Sequence, residues 1–273
     1  MSVVEIDQFF DVTQKKRKTS KGMVDLPILY FDTSNVLAFF LCPSEAVDAK
    51  LQGTGLKAGL RIGNYSVVGL SLYEYRKTSV GSYNEVGLAI PVLKEGDFAP
   101  LTGLTDLYRD IEKRDLGFYV LDLPVTTELA NAAGRDIWGY PKFVTKIMFS
   151  LAKNRFNGKV LDPDSNELIL SLDGKLGLGT TIPPLSPVTY SVHKKKKQFL
   201  RTTVNVRGDV KLSFPIGMRL KVGNSQHVMA KNLRDLGLEN AHPIALMSTD
   251  KFQSRLNEGI DIINSVQEGS RDW

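Results

Sequence analysis

Lys142 lies between Tyr140-Pro141 on one side and Phe143-Val144 on the other. An amine held among such groups loses water, and desolvation disfavours its ammonium form. A neutral amine can attack a carbonyl carbon. The residues before it read as a device for delivering that lysine. Residues 128–133 (Glu-Leu-Ala-Asn-Ala-Ala) begin as a helix, with Thr126 or Thr127 as cap, Glu128 at the positive end of the dipole and Gly134 as a natural stop. Arg135 and Asp136 then place charges beside the helix end, where such a pair caps or bridges structurally. Trp138-Gly139-Tyr140-Pro141 makes a stiff aromatic turn. Taken by itself, a lysine after a proline is more often a solvated surface charge than a nucleophile.

The whole run Gly134-Arg135-Asp136-Ile137-Trp138-Gly139-Tyr140-Pro141-Lys142 resembles the motif of the acetoacetate decarboxylase family, a Gly-Arg-acidic segment followed by aromatic-Pro-Lys. Ser82 to Val92 is similar to the family's Tyr-x-Glu strand, and His242-Pro243-Ile244-Ala245-Leu246 to its closing strand. The resemblance extends along most of the chain and is specific at the first two places. It implies Lys142 as the Schiff-base nucleophile and Glu85 as an acid-base or orienting carboxylate beside it. Acetoacetate decarboxylase is a standard instance of an activated lysine, so this mechanism comes with the resemblance and not from the residues alone. Without it, Glu85 reads as a surface glutamate on an edge strand.

The chain departs from the family at three places. Phe143 stands where the decarboxylase has a second lysine. Leu70 stands where a substrate-binding glutamate is expected. The arginine that helps hold the substrate carboxylate has no clear counterpart, and Glu74 and Arg76 can substitute only if strand alternation places them on the site's face. Tyr140, Trp138, Phe143, Leu70 and Arg76 are therefore the candidate substrate contacts, Trp138 and Tyr140 being equally able simply to pack.

The remaining composition narrows the class. With 273 residues, 42% hydrophobic and 24% charged, the chain can bury a large core as one domain. No apolar run approaches the roughly 20 residues of a membrane helix, and residues 1–7 do not read as a signal peptide. Cys42 is the single cysteine, so neither an internal disulfide nor a cysteine-based zinc site is expected. His193, His227 and His242 lack the short spacing of a metal motif. Residues 174–179 are glycine-rich without dinucleotide-binding order, and no serine nucleophile elbow occurs. The net charge of +5 is concentrated at Lys15-Lys16-Arg17-Lys18 with Lys21 and at Lys194 to Lys197. Each run reads as a solvated loop, since neither carries the interleaved aromatics of a single-strand binder.

Along the chain, residues 4–10 read as one helical turn and 14–22 as an exposed linker, together an extension over 1–22. Residues 27–31 and 36–41 read as a hairpin about Asp32-Thr33-Ser34-Asn35, and 43–51 as a short helix. Residues 64–76 and 83–93 form two long strands, with Gly69 and Gly87 as bends. Residues 106–115 read as a helix burying Leu107, Ile111 and Tyr108, and 117–123 as a strand. Strands follow at 143–152, 156–161, 167–173, 187–192, 198–207 and 217–222, with helices at 228–236 and 249–257. Short strands with regular turn signals indicate a barrel or sandwich. The expected fold is mainly β (α+β): one large curved antiparallel sheet forming a barrel or cone with a few peripheral helices, a single domain over 1–273.

The resemblance then implies a cytoplasmic homo-oligomeric decarboxylase acting on a small β-keto acid, without metal or organic cofactor. No nucleic-acid or membrane partner is expected. Another Schiff-base reaction, such as aldol cleavage or dehydration, and a non-catalytic barrel binding a small apolar ligand are the alternatives.

Overall fold

The computed structural model describes residues 7–97, 106 and 109–262. In chain order its strands are β1 (Lys15–Thr19), β2 (Gly22–Leu26), β3 (Ile28–Pro43), β4 (Leu56–Ala58), β5 (Arg61–Ile62), β6 (Tyr65–Thr78), β7 (Tyr83–Lys94), β8 (Gly117–Val125), β9 (Lys142–Val144), β10 (Ile147–Ala152) and β11 (Arg155–Leu161). They continue as β12 (Leu168–Ile182), β13 (Val188–His193), β14 (Gln198–Gly208), β15 (Val210–Val222), β16 (Ala245–Leu256) and β17 (Ile260–Asp261). The helices are α1 (Ser44–Leu51), α2 (Glu128–Ile137) and α3 (Val228–Asp235). Among the described residues no helix is long and apolar enough to cross a membrane.

Seven strands close a ring in the order β16-β3-β6-β7-β8-β13-β14, and β14 pairs back onto β16 from Val204↔Leu256 to Gly208↔Phe252. The expected barrel is thus present as a ring. The pairing is antiparallel except at β8, which runs parallel to both β13 and β9. The same sheet continues outside the ring through β15, β12, β11 and β10.

Alternation sorts the side chains into two cores. On β6 and β7 the even-numbered Val68, Leu70, Leu72, Val86, Leu88 and Ile90 join the larger core, which lies between the outside of the ring, the β10–β12 extension and helices α1 and α3. Tyr75 and Tyr83, with Tyr73 packed against them, belong to a smaller core with Tyr30, Leu123, Val125, Trp138 and Tyr140. The ladder from Gly69↔Ala89 to Tyr75↔Tyr83 is unbroken, so neither glycine breaks the register there.

Several segments differ from their sequence reading. Residues 28–41 lie in one strand, β3, with Pro27 just before it. The turn-like Asp32-Thr33-Ser34 is a bulged stretch in which Asp32 is bound by Arg76 and the Ser34 hydroxyl donates to the carbonyl of Asp250, while the Thr33 hydroxyl is buried without a partner. Residues 249–257 lie in β16 and its exit, because Phe252 and Ser254 alternate inward against outward polar neighbours. Residues 143–152 form two strands, broken at Thr145-Lys146. The basic run from Lys15 is an edge strand hairpinned to β2 and docked on α2, where the Ser20 amide donates to Asp136 Oδ2 at 2.7 Å. Lys194 to Lys197 form the exposed turn between β13 and β14. Residues 8–10 make a turn, while 4–6 lie outside the described residues. Of the helix over 106–115, Leu107 and Tyr108 also lie outside them, and Ile111–Lys113 is a single 3-10 turn.

Asp122, on the outer face of β8, is buried with Asn232 of α3 as its hydrogen-bond donor at 2.9 Å. Burial pushes its carboxyl up to about 7, partly offset by the Asn232 hydrogen bond. A folded-state value above the unfolded one means that the native state holds an extra proton. The stabilisation from that proton is complete below about pH 4 and disappears as pH rises through about 7. Melting temperatures of wild type and Asp122→Asn should therefore diverge between pH 5 and 8.5, the wild type losing ground as the solution becomes more alkaline. Parallel curves would show that Asp122 is ionised throughout.

Candidate active site

Three local features carry Lys142 into the smaller core. First, α2 does not stop at Gly134 but runs to Ile137, and the reversal falls at Gly139, whose φ of +68° suits glycine. A Cβ there would also stand 2.6 Å from the Cα of His193. Tyr140 N–H reaches back to the Gly134 carbonyl at 3.0 Å, so the chain folds across the end of its own helix. Second, β9 pairs in parallel with β8, Leu123 opposite Lys142, which fixes the lysine on the same face as Leu123 and Val125. Third, Gly134 makes room: a Cβ at this position would lie 2.4 Å from Lys142 Cδ and 2.5 Å from Cε. The glycine that reads as a helix stop is in fact the groove through which the lysine stem passes.

Arg135 and Asp136 hold this loop, as a structural pair would. Arg135 Nη1 donates to the Lys142 carbonyl at 2.7 Å, and the Asp136 carbonyl meets His193 Nε2 at 3.0 Å and Lys196 Nζ at 2.8 Å. Thr127 sits at the helix cap without a side-chain capping bond, while Thr126 Oγ1 accepts from the Asn84 amide.

Inside, Lys142 is 6% exposed and Glu85 7%. Lys142 Nζ donates to Glu85 Oε2 at 2.6 Å. Tyr75 Oη points to the other carboxylate oxygen at 3.4 Å, and the Tyr83 ring centroid lies 5.8 Å from the amine. Tyr75 touches three more rings, with centroids 4.6 Å from Tyr30, 5.2 Å from Tyr73 and 4.7 Å from Tyr83. Burial raises all of these phenols. Tyr73 and Tyr140 are pushed up to about 12, and Tyr30, Tyr75 and Tyr83 stand still higher, the Glu85 charge adding to the effect. The phenols are therefore neutral hydrogen-bond groups at any working pH. Among the described residues no three His, Cys, Asp or Glu side chains gather as a metal site.

The other candidate contacts divide. Tyr140 is in the smaller core, its hydroxyl 2.7 Å from Thr189 Oγ1. Trp138 packs in the same cluster, its indole N–H donating to the Asn257 carbonyl at 3.0 Å and its ring stacked on Tyr140. Leu70, Phe143 and Arg76 are corrected by alternation. Leu70 is fully buried in the larger core on the opposite face of the sheet. Phe143, adjacent to Lys142 on β9, turns to that outer face and packs its ring 4.3 Å from that of His227. The residue standing in for the family's second lysine therefore does not face the amine. Arg76 is in register with Leu70, as is Glu74, but both lie outside the ring, where Arg76 is held by Asp32 at 2.6 Å and Glu74 at 3.0 Å. It borders an open cleft of about 420 Å³ together with Glu74, Tyr75, Ser82, Tyr83, Asn84 and Thr126.

Sequence reasoning missed Tyr30, Tyr73, Tyr75 and Tyr83. Tyr83 was within reach, since it precedes Glu85 by two residues on a strand and must share its face. Tyr73 opposes Glu85 only through the β6–β7 register, and Tyr30 arrives from β3.

With this geometry in view, the comparisons with known proteins fall into place. The family model for acetoacetate decarboxylase matches residues 46–207, and the chain belongs to the acetoacetate decarboxylase family. The crystal structure of acetoacetate decarboxylase from Legionella pneumophila subsp. pneumophila is similar with a TM-score of 0.60 at 13% identity, covering 94% of this chain and 96% of that one. An acetoacetate decarboxylase-like enzyme from Sphingomonas wittichii RW1 gives 0.59 at 12%, over 88% and 94%. The enduracididine biosynthesis enzyme MppR complexed with pyruvate gives 0.58 at 11%, over 86% and 90%. No curated protein matches the chain. The fold is thus shared with an acetoacetate decarboxylase, an acetoacetate decarboxylase-like enzyme and an enduracididine biosynthesis enzyme.

The passage of the lysine over Gly134 is directly testable. Gly134→Ala should displace the Lys142 side chain and lower stability by about 1–3 kcal/mol, as overpacking of a filled core does, while the circular-dichroism spectrum stays that of the wild type. Urea unfolding unchanged from wild type would mean that the stem has another route.

Proposed function

We propose that this protein is a carboxy-lyase acting on a β-keto acid such as acetoacetate, with Lys142 as the Schiff-base nucleophile. The observation that carries the reading is the 2.6 Å contact between Lys142 Nζ and Glu85 Oε2 inside a tyrosine-walled core. Transfer of one proton along that contact turns the ammonium into a neutral amine and Glu85 into its acid. The amine adds to the keto carbon, and the carbinolamine loses water after Glu85 returns its proton to the leaving hydroxyl. The resulting iminium accepts the electron pair of the breaking carbon–carbon bond as carbon dioxide departs. A proton taken from solvent by the Glu85 carboxylate is delivered to the enamine carbon, and hydrolysis of the iminium so formed releases the ketone and restores the amine. Glu85 serves each proton movement, the role of a general acid-base within hydrogen-bond reach.

This chemistry needs no metal or organic cofactor. A small keto-acid partner, a homo-oligomeric state and a cytoplasmic setting are part of the same proposal and follow from the family resemblance. A second reading has two observations in its favour. Arg76 lies on the wrong face to hold a carboxylate, and the fold is shared with MppR, whose structure contains pyruvate. That reading is a Schiff-base condensation or dehydration in which no carbon dioxide forms. Incubation with acetoacetate under a carbon dioxide electrode separates the two: steady release that is absent in Lys142→Ala supports the decarboxylase. Turnover of pyruvate with an aldehyde and no gas would replace it.

A further inference from the structure

If a keto acid binds at Lys142, its carboxylate needs a partner, and the nearby cations are already engaged. Lys142 faces Glu85, Arg135 serves the Lys142 carbonyl, and Arg76 lies outside the ring. What the site does contain is phenol hydrogens, and these can be accounted for one by one. A tyrosine hydroxyl has one hydrogen to give and two lone pairs. Tyr75 directs its hydrogen at Glu85 Oε1, the Tyr73 hydroxyl is hydrogen-bonded with Ser71, and the Tyr140 hydroxyl is paired with Thr189 Oγ1. Tyr30 Oη and Tyr83 Oη are bonded to each other at 3.1 Å. One bond between two hydroxyls uses one hydrogen and leaves the second without an acceptor among the described residues. A buried donor left unpaired is costly, and each such group calls for an explanation.

We propose that the spare hydroxyl hydrogen of the Tyr30–Tyr83 pair is the receptor for the substrate carboxylate, making this a site for monocarboxylic keto acids. The proposal rests on the Schiff-base reading only for where the keto carbon goes. Tyr83 is on the same face of β7 as Glu85, and its ring lies 5.8 Å from Lys142 Nζ. Both hydroxyl-bearing rings pack on Tyr75, which itself reaches Glu85, so the pair is held in place against the ion pair. The chemistry also favours a neutral receptor. Decarboxylation discharges the carboxylate, so a guanidinium would stabilise the ground state more than the transition state and slow the step. A phenol orients the group with less of that penalty. Burial keeps both phenols protonated, and hence donors, across the working range.

The pair makes an unusual forecast because either hydroxyl can supply the hydrogen. In Tyr30→Phe the Tyr83 hydroxyl remains, and in Tyr83→Phe that of Tyr30. Each single variant should change the KM for acetoacetate, and the calorimetric Kd for butyrate, by less than about threefold. The double variant should raise both by about tenfold or more, the usual effect of removing a hydrogen bond to a charged group. Acetone, which has no carboxylate, should still be trapped on Lys142 by borohydride in the double variant as in wild type, showing that the site is intact. Butyrate and acetoacetate affinities unchanged in the double variant, or full losses in both singles that simply add, would overturn the proposal. Should acetone and acetoacetate both fail to label wild type, the Schiff-base reading falls, and the butyrate measurements alone still decide whether the tyrosine pair receives carboxylates.

Discussion

Replacing Lys142 with methionine is expected to destabilise the fold by about 3–5 kcal/mol, far more than the lost lysine stem accounts for. The reason is Glu85. With both partners nearly excluded from water and 2.6 Å apart, removal of one leaves a carboxylate buried among tyrosine rings with no counter-charge. The double variant Lys142→Met with Glu85→Leu should recover most of the loss, because the pair is then replaced by apolar groups of similar volume and the desolvation of both charges is avoided. Urea unfolding of the two singles and the double gives the cycle directly. If Lys142→Met alone costs under about 1 kcal/mol, the value typical of an exposed ion pair, the site is wetter than the geometry indicates.

The second large effect is kinetic. Glu85→Gln keeps the size and a hydrogen-bonding oxygen but cannot take the proton from Lys142 or return it to the leaving hydroxyl. A positioned acid-base group is worth roughly 100- to 10,000-fold in rate, so kcat for the keto acid should fall by that order. Imine formation should become slow instead of impossible, since the lysine itself remains. Borohydride trapping over hours in place of minutes would register this. A Glu85→Gln variant with wild-type kcat would remove Glu85 from the reaction and leave it a buried counter-ion only.

How much of this was legible in the sequence depended on whether the signal was local. The segment from Gly134 to Lys142 and the strand bearing Glu85 stood out by residue type, and the ring of strands was anticipated from regular turn signals. The face that each strand shows the ring interior was not legible. Period-2 alternation assigns residues to two faces without saying which is inside, and an error of one residue moves a whole set across the sheet. Leu70, Phe143 and Arg76 were all lost in that way, while Tyr73 and Tyr75 on the neighbouring positions form part of the site wall. Gly134 shows a different limit. Its local chemistry speaks for a helix end, and only the packing of Lys142 against it reveals why a side chain is excluded. Residues 249–257 misled for a related reason: Lys251, Gln253 and Arg255 favour a helix, but the inward alternation of Phe252 and Ser254 decides for a strand.

The central claim is that the nitrogen of Lys142 forms a covalent bond to its substrate. Peptide mass mapping after incubation with acetoacetate and sodium borohydride tests it most directly. The expected result is a reduced three-carbon adduct on the peptide carrying Lys142, absent from Lys142→Ala and accompanied by irreversible loss of activity. No adduct on that peptide, or an equal yield of label in Lys142→Ala, would contradict it.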